Sequence, residues 1–196
     1  IALAAQELSL IDTLSVAENI FLSALPQNSM TVDRVRLGRL AEELMEQVGL
    51  NAMSAQTSVA KLTLAEKQLV ELAKALSMSA ENCQLLILDE PTSALTAPQA
   101  EQIHQIIRER VATGLSIIYV SHRLDDVLSV CDDVSVLRDG IIVSTAPTTS
   151  LTVDDLITAM CGQDLLEHSE CSLRKAGDLR LKVEQISSAI FPHPVS

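Results

Sequence analysis

Tryptophan is absent from the 196 residues, and the aromatic side chains stop at Phe21, Tyr119 and Phe191. Hydrophobic residues still make up 47% of the chain, so a core can form, but it has to be built from Leu, Ile, Val and Ala. Basic residues are scarce, 14 against 26 acidic, for a formal net charge of −12. Nucleic-acid binding needs clustered Lys and Arg against phosphates, so the charge argues for no nucleic acid as the main partner. It also argues against an anionic membrane surface. No apolar run approaches the roughly 18–20 residues of a membrane span, and the opening IALAAQELSLIDTL lacks a basic n-region. Cys83, Cys131, Cys161 and Cys171 form no CxxC pair, which reads as free thiols of a reducing compartment and not as a disulfide framework or zinc site. Glycine occupies only positions 38, 49, 114, 140, 162 and 177, and none of them builds the phosphate-cradling pattern G-x-x-x-x-G-K-[ST].

The richest stretch is Leu85-Leu86-Ile87-Leu88-Asp89-Glu90-Pro91. Four apolar residues in a row suit a strand buried on both faces of a parallel sheet. Two carboxylates follow, then a proline that cannot donate to a continuing ladder. Open α/β sheets place ligand sites at such carboxyl ends, and adjacent acids there need a partner or a metal, because buried carboxylates are costly alone.

The surrounding pattern supplies the sheet. Residues 1–5 are apolar and stop at Gln6-Glu7, like the end of a strand whose beginning lies upstream, so the chain is expected to be a fragment. From about residue 13 to residue 80 the periodicity is helical. Within it, 31–48 places Val35, Leu37, Leu40, Leu44 and Val48 on one face, with Gly49 as a stop. Residues 65–78 do the same with Leu69, Leu72, Ala73 and Leu76. The rhythm then becomes strand 84–88, helix 98–112, strand 115–120 and helix 124–130, the alternation of a parallel α/β sheet. Strands at 134–137 and 141–144 flank the turn signal Arg138-Asp139-Gly140. A short helix spans 153–160, 162–178 reads as a polar linker, and 179–186 alternates like a further strand.

Each candidate site residue has a bland reading beside the functional one. Asp89 could hold Mg²⁺ through its water shell, and Glu90, aimed to the other side, could polarise an attacking water; a lone acidic strand end could equally begin a loop. His122 follows the 115–120 strand at the same sheet edge, which brings it near Asp89 and Glu90 although His122 and Asp89 lie 33 positions apart. That placement favours a phosphate contact over a structural histidine. Gln6 could complete a Mg²⁺ shell, though glutamine is common in loops. Residues Leu62, Thr63, Leu64, Ala65 and Glu66 open a helix whose N–H groups form an anion site, while Thr63 and Glu66 alone make an ordinary capping box. His104, His168 and His193 read as surface residues.

Taken together and in order, these segments resemble the ATP-binding-cassette (ABC) ATPases over about residues 1–160. Gln6-Glu7 resembles the Q-loop, LTLAEKQLVELAKAL at 62–76 the signature segment and its helix, LLILDEP at 85–91 the Walker B strand with its following glutamate, Ser93-Ala94-Leu95-Thr96 the D-loop, and Ser121-His122 the H-loop. QELSLIDTLSVAENIFL, VELAKAL and DEPTSALT are similar to the ribose, galactose and autoinducer import ATPases, which carry two cassettes in one chain.

The resemblance implies an α/β fold, a partial P-loop NTPase (RecA-like) parallel sheet with an α-helical insert. Its expected parts are a core strand and Q-loop at 1–12, a helical subdomain at 13–82, the α/β ATPase core at 83–147, a helix and linker at 148–178, and the start of a second cassette at 179–196. It implies ATP and Mg²⁺ as cofactors, Glu90 and His122 as catalytic residues, and Asp89 and Gln6 at the metal. Leu62, Thr63, Leu64, Ala65, Glu66 and Ser93 would meet nucleotide. Expected partners are membrane permease subunits, a second cassette and, indirectly, a periplasmic or extracellular solute-binding protein, with the chain peripheral at the cytoplasmic face of the membrane. Two departures stand out. The Walker A loop is missing, and the signature, usually LSGGQ, reads Leu62-Thr63-Leu64-Ala65-Glu66, with a methyl and an acid where phosphate must approach. The missing loop leaves a rival reading, a non-catalytic module that docks a permease or a second cassette. A soluble cassette ATPase of translation or DNA repair fits the acidic charge and the importer-like segments least.

Overall fold

A computed structural model describes residues 1–5, 8–28, 31–79 and 84–161. In chain order the elements are β1 (Ala2–Ala4), α1 (Val16–Ile20), β2 (Gln27–Asn28), β3 (Thr31–Val32), α2 (Arg34–Gln47), α3 (Leu64–Ser79), β4 (Leu85–Asp89), α4 (Ala97–Ala112), β5 (Ser116–Val120), α5 (Leu124–Val130), β6 (Asp133–Arg138), β7 (Ile141–Pro147) and α6 (Val153–Cys161). Gln6, Glu7, Cys83, Cys171, His168, His193, the linker and the 179–186 strand lie outside the described residues.

The central sheet is parallel with order β1-β4-β5, and its register aligns Ala2 with Leu86, Leu86 with Ile117, Leu88 with Tyr119 and Asp89 with Val120. One face carries Ala2, Ala4, Leu86 and Leu88, all buried, with Ile117 and Tyr119 packed against the same core. The other face carries Leu3, Ile118 and Val120, which stay 53%, 48% and 46% exposed. Burial on both faces was expected of this strand pattern, and the described residues deliver it on one face only, because their helices all gather on that same face. Helices α1, α2 and α3 pack on one another, and α3 also lies against β1.

Local chemistry explains the boundaries. Helix α2 starts at Arg34 and not at residue 31, because Asp33 caps it by accepting the Arg36 N–H at 3.0 Å while Thr31–Val32 pairs with Gln27–Asn28. Val35, assigned to the apolar face, points to solvent at 86% exposure; it sits about 200° around the helix from buried Leu37. Gly49 ends the segment with φ +83°, and a side chain there would also collide with Gln102. Helix α4 starts one residue earlier than the pattern suggests, at Ala97, behind a Thr96–Gln99 capping box. Asp139 and Gly140, with φ of 54° and 78°, form the turn between β6 and β7 that the sequence signalled.

Two polar side chains are buried more deeply than sequence pattern suggests. Asn19 is fully buried, donating to the Ile11 and Ser15 carbonyls at 3.0 Å and accepting the Ile11 N–H at 2.7 Å. Asn19→Ala strands both Ile11 backbone groups and should cost about 2–3 kcal/mol in equilibrium urea unfolding. His104, read as a surface residue, is 3% exposed and meets the Tyr119 ring edge-on. The histidine looked external because its neighbours on α4 are polar; the strand partner that covers it is remote in sequence.

Tyr119 is the only tyrosine in the chain, and burial pushes its phenol up from 10.0 to about 12. A raised folded pKa stabilises the neutral form, so this contribution is complete below pH 10 and is lost as pH rises toward 12. Tyrosinate absorbance of this 196-residue chain should titrate with one transition well above pH 10. A midpoint at 10 would mean that the ring is solvated.

Candidate functional site

Glu90 is the first residue past β4. Its N–H donates to the Val120 carbonyl at 2.9 Å, and its φ is 55°. A non-glycine residue held there costs about 1 kcal/mol or more, and such strain persists only where the surroundings fix it. Glu90 Oε1 lies 2.7 Å from His122 Nδ1. An ionised carboxylate only accepts, so Nδ1 carries the hydrogen and donates it to Glu90. The ring stays 70% exposed, with Nε2 left for another group.

Glu90 Oε2 is buried and has no hydrogen-bond partner among the described residues. Together with Asp89, Glu71, Gln68 and Ala5, Glu90 lines a cavity of about 20 Å³, room for one water-sized group. Asp89 ends β4 opposite Val120, on the face that carries Leu3 and Ile118. The two carboxylates and the histidine that the sequence placed at one sheet edge are therefore brought together there.

The 62–66 segment behaves first as a helix start. Thr63 donates to Glu66 Oε2 from both its N–H and its hydroxyl, at 2.8 Å each, and the Glu66 N–H returns a bond to Thr63 Oγ1 at 3.3 Å. Leu64 is exposed, Ala65 and Glu66 are half-buried, and Leu62 is half-buried against the core. Ser93 is exposed and its hydroxyl accepts a 2.7 Å bond from Gln68 Nε2, while Gln68 Oε1 accepts the Ala94 N–H at 3.0 Å. Gln68 thus staples α3 to the turn after β4. Nothing in the linear pattern singles it out, because both its partners are backbone or hydroxyl groups 25 and 26 positions away.

A second tie joins the segment between β1 and α1 to α3. Ser9 Oγ donates to buried Glu71 Oε1 at 2.7 Å and accepts from Lys74 Nζ at 2.6 Å. Glu71 and Lys74 looked like ordinary polar positions on an amphipathic helix. Among the described residues, no group of three His, Cys, Asp or Glu side chains could hold a metal ion by itself.

The sequence profile described as "ABC transporter" matches residues 1–93. A protein of Agrobacterium fabrum named for ribose/galactose/methyl galactoside import, as an ATP-binding protein, is 41% identical over 188 residues, 95% of this chain and 36% of its own length. Ribose import ATP-binding protein RbsA 2 of Rhizobium etli is 39% identical over 200 residues, all of this chain and 38% of its own. The chain belongs to the ABC transporter family. It spans a little over a third of the length of the curated relatives it matches. Its fold is similar to that of a dimeric ABC cassette in a post-hydrolysis state bound to ADP and Pi, with TM-score 0.65 at 21% identity, over 76% of this chain and 63% of that one. An ABC transporter described as an inward-facing metal-chelate type is similar with TM-score 0.63 at 18% identity, over 82% of this chain and 63% of that chain.

This ABC-family chain carries donors that suit one end of Mg-ATP. Asp89 offers one carboxylate that could serve as a hard oxygen ligand, and Mg²⁺ typically takes one or two carboxylates and fills the rest of its shell with water and phosphate oxygens. The buried Glu90 Oε2, without a partner among the described residues, suits a water donor. The donors for the β-phosphate are a different matter, since the chain contains no G-x-x-x-x-G-K-[ST].

Proposed function

We propose that this chain forms part of an ATP-hydrolysing subunit of an importer for a monosaccharide or similar small solute, working with a phosphate-binding loop that it does not itself contain. The observation that carries this reading is the 2.7 Å contact between Glu90 and His122 at the carboxyl edge of the parallel sheet. Mg²⁺, held in this reading by Asp89 and Gln6, would neutralise charge on the phosphates of ATP. Glu90 Oε2 orients the attacking water and accepts its proton as the bond to phosphorus forms. With Nδ1 turned to Glu90, His122 would meet the γ-phosphate through Nε2.

The signature residues Leu62, Thr63, Leu64, Ala65 and Glu66, together with Ser93, would meet nucleotide held by a second cassette. Leu64 and Thr63 are exposed, as such a contact needs, and Glu66 spends one oxygen on Thr63, which tempers its repulsion of phosphate. The helical part, residues 13–82, would contact membrane permease subunits at the cytoplasmic face of the membrane. A solute-binding protein would act through those subunits.

The full-length protein with its permease in lipid vesicles should hydrolyse Mg-ATP faster in the presence of a solute-binding protein loaded with ribose, galactose or arabinose. Absence of ATP hydrolysis under every such condition would favour the rival, a non-catalytic docking module, which the missing phosphate loop supports for this chain in isolation.

A further inference from the structure

Three buried polar side chains, Thr92, His104 and Asp126, converge between the turn after β4 and helix α5. Asp126 Oδ2 accepts the Thr92 hydroxyl at 2.8 Å and lies 3.2 Å from Arg123 Nε. Arg123 Nη1 donates to the Thr92 carbonyl at 3.0 Å. The Tyr119 hydroxyl sits 3.2 Å from Thr92 Oγ1 and 3.4 Å from His104 Nε2, which is itself 4.0 Å from Asp126 Oδ2.

The positions of these residues give the cluster its meaning. Thr92 stands two residues past Glu90, and Arg123 one residue past His122. The His122 ring is mostly exposed, so packing around the ring does little to fix it, and Glu90 holds a backbone conformation that needs outside support. Besides the Glu90–His122 bond and the backbone bond from Glu90 to Val120, side-chain connections between the two turns run through Asp126, Arg123 and Thr92.

We propose that Asp126, with Arg123 and Thr92, is a positioning group for the Glu90–His122 pair: it sets the separation of the turns that follow β4 and β5, and through them that of the two side chains. None of the three touches the reacting atoms. The role rests on the ATPase reading above.

Steady-state Mg-ATP hydrolysis by the full-length protein tests it, with melting temperature followed in parallel. Thr92→Val removes the hydroxyl at similar volume and leaves Asp126 paired with Arg123, so the fold should persist. This variant should lose about tenfold in kcat, with KM for ATP within about twofold of the starting protein. Thr92→Ser restores the hydroxyl and should restore kcat. In a His122→Ala background the further effect of Thr92→Val should fall below about twofold, because the pair it serves is gone.

Unchanged kcat in Thr92→Val, equal losses in Thr92→Val and Thr92→Ser, or a full tenfold loss persisting without His122 would each overturn the positioning role. If Glu90→Gln leaves turnover intact, or the starting protein does not hydrolyse ATP, the ATPase reading fails and this one with it. Glu90-dependent turnover that ignores Thr92→Val sinks the positioning role alone.

Discussion

Glu90→Gln in the full-length protein should lower Mg-ATP turnover at this site by at least about a hundredfold, the ordinary worth of a general base, while ATP binding persists. The amide keeps the shape of the side chain and can still accept from His122 Nδ1 through its oxygen. What it loses is basicity at the buried Oε2 position, where a nitrogen donor would now face the water. Rapid-quench measurement of phosphate release, beside trapped-nucleotide counting, separates the two effects. Occluded ATP with almost no phosphate release is the expected pattern. Undiminished release from this site would show that Glu90 is not the base.

The second large effect concerns the 196-residue chain by itself. It should bind Mg-ATP more weakly than about 1 mM, corresponding to about −4 kcal/mol or less favourable. The described residues offer Asp89, Glu90 and His122 for the γ-phosphate end, and two of these are acids that repel phosphate until a metal intervenes. The sequence contains no run of backbone donors and lysine of the kind that cradles β- and γ-phosphates. Titration calorimetry with Mg-ATP reads this directly, and a micromolar dissociation constant would contradict it.

Legibility in the sequence followed the range of the interaction. The strands, the helices between them and the Asp139-Gly140 turn could be read because each depends on local pattern, on apolar runs, caps or positive φ. The convergence of Asp89, Glu90 and His122 also could be read, since parallel strands put their carboxyl ends side by side. What escaped was polar and long-range. Gln68 reaching Ser93, Ser9 reaching Glu71, and His104 beneath Tyr119 depend on which helix face meets which turn. Periodicity ranks such positions as solvent-facing. Val35 failed for the opposite reason: an apolar residue was counted toward a face it does not share. The expectation that β4 is buried on both sides failed because one side of the sheet carries no helix among the described residues.

The register of the sheet also says something about the order in which the chain can come together. Leu86 pairs with Ile117, 31 positions away, but Ala2 pairs with Leu86 across 84. Closing the longer loop costs more chain entropy and is kinetically slower. Glu90 and His122 both lie on the short excursion β4–α4–β5, as do Thr92, Tyr119 and Arg123. The sheet edge that holds Glu90 and His122 is therefore a product of the low-contact-order part of the chain, and substitutions in the helical stretch should delay the docking of β1 far more than the meeting of Glu90 with His122.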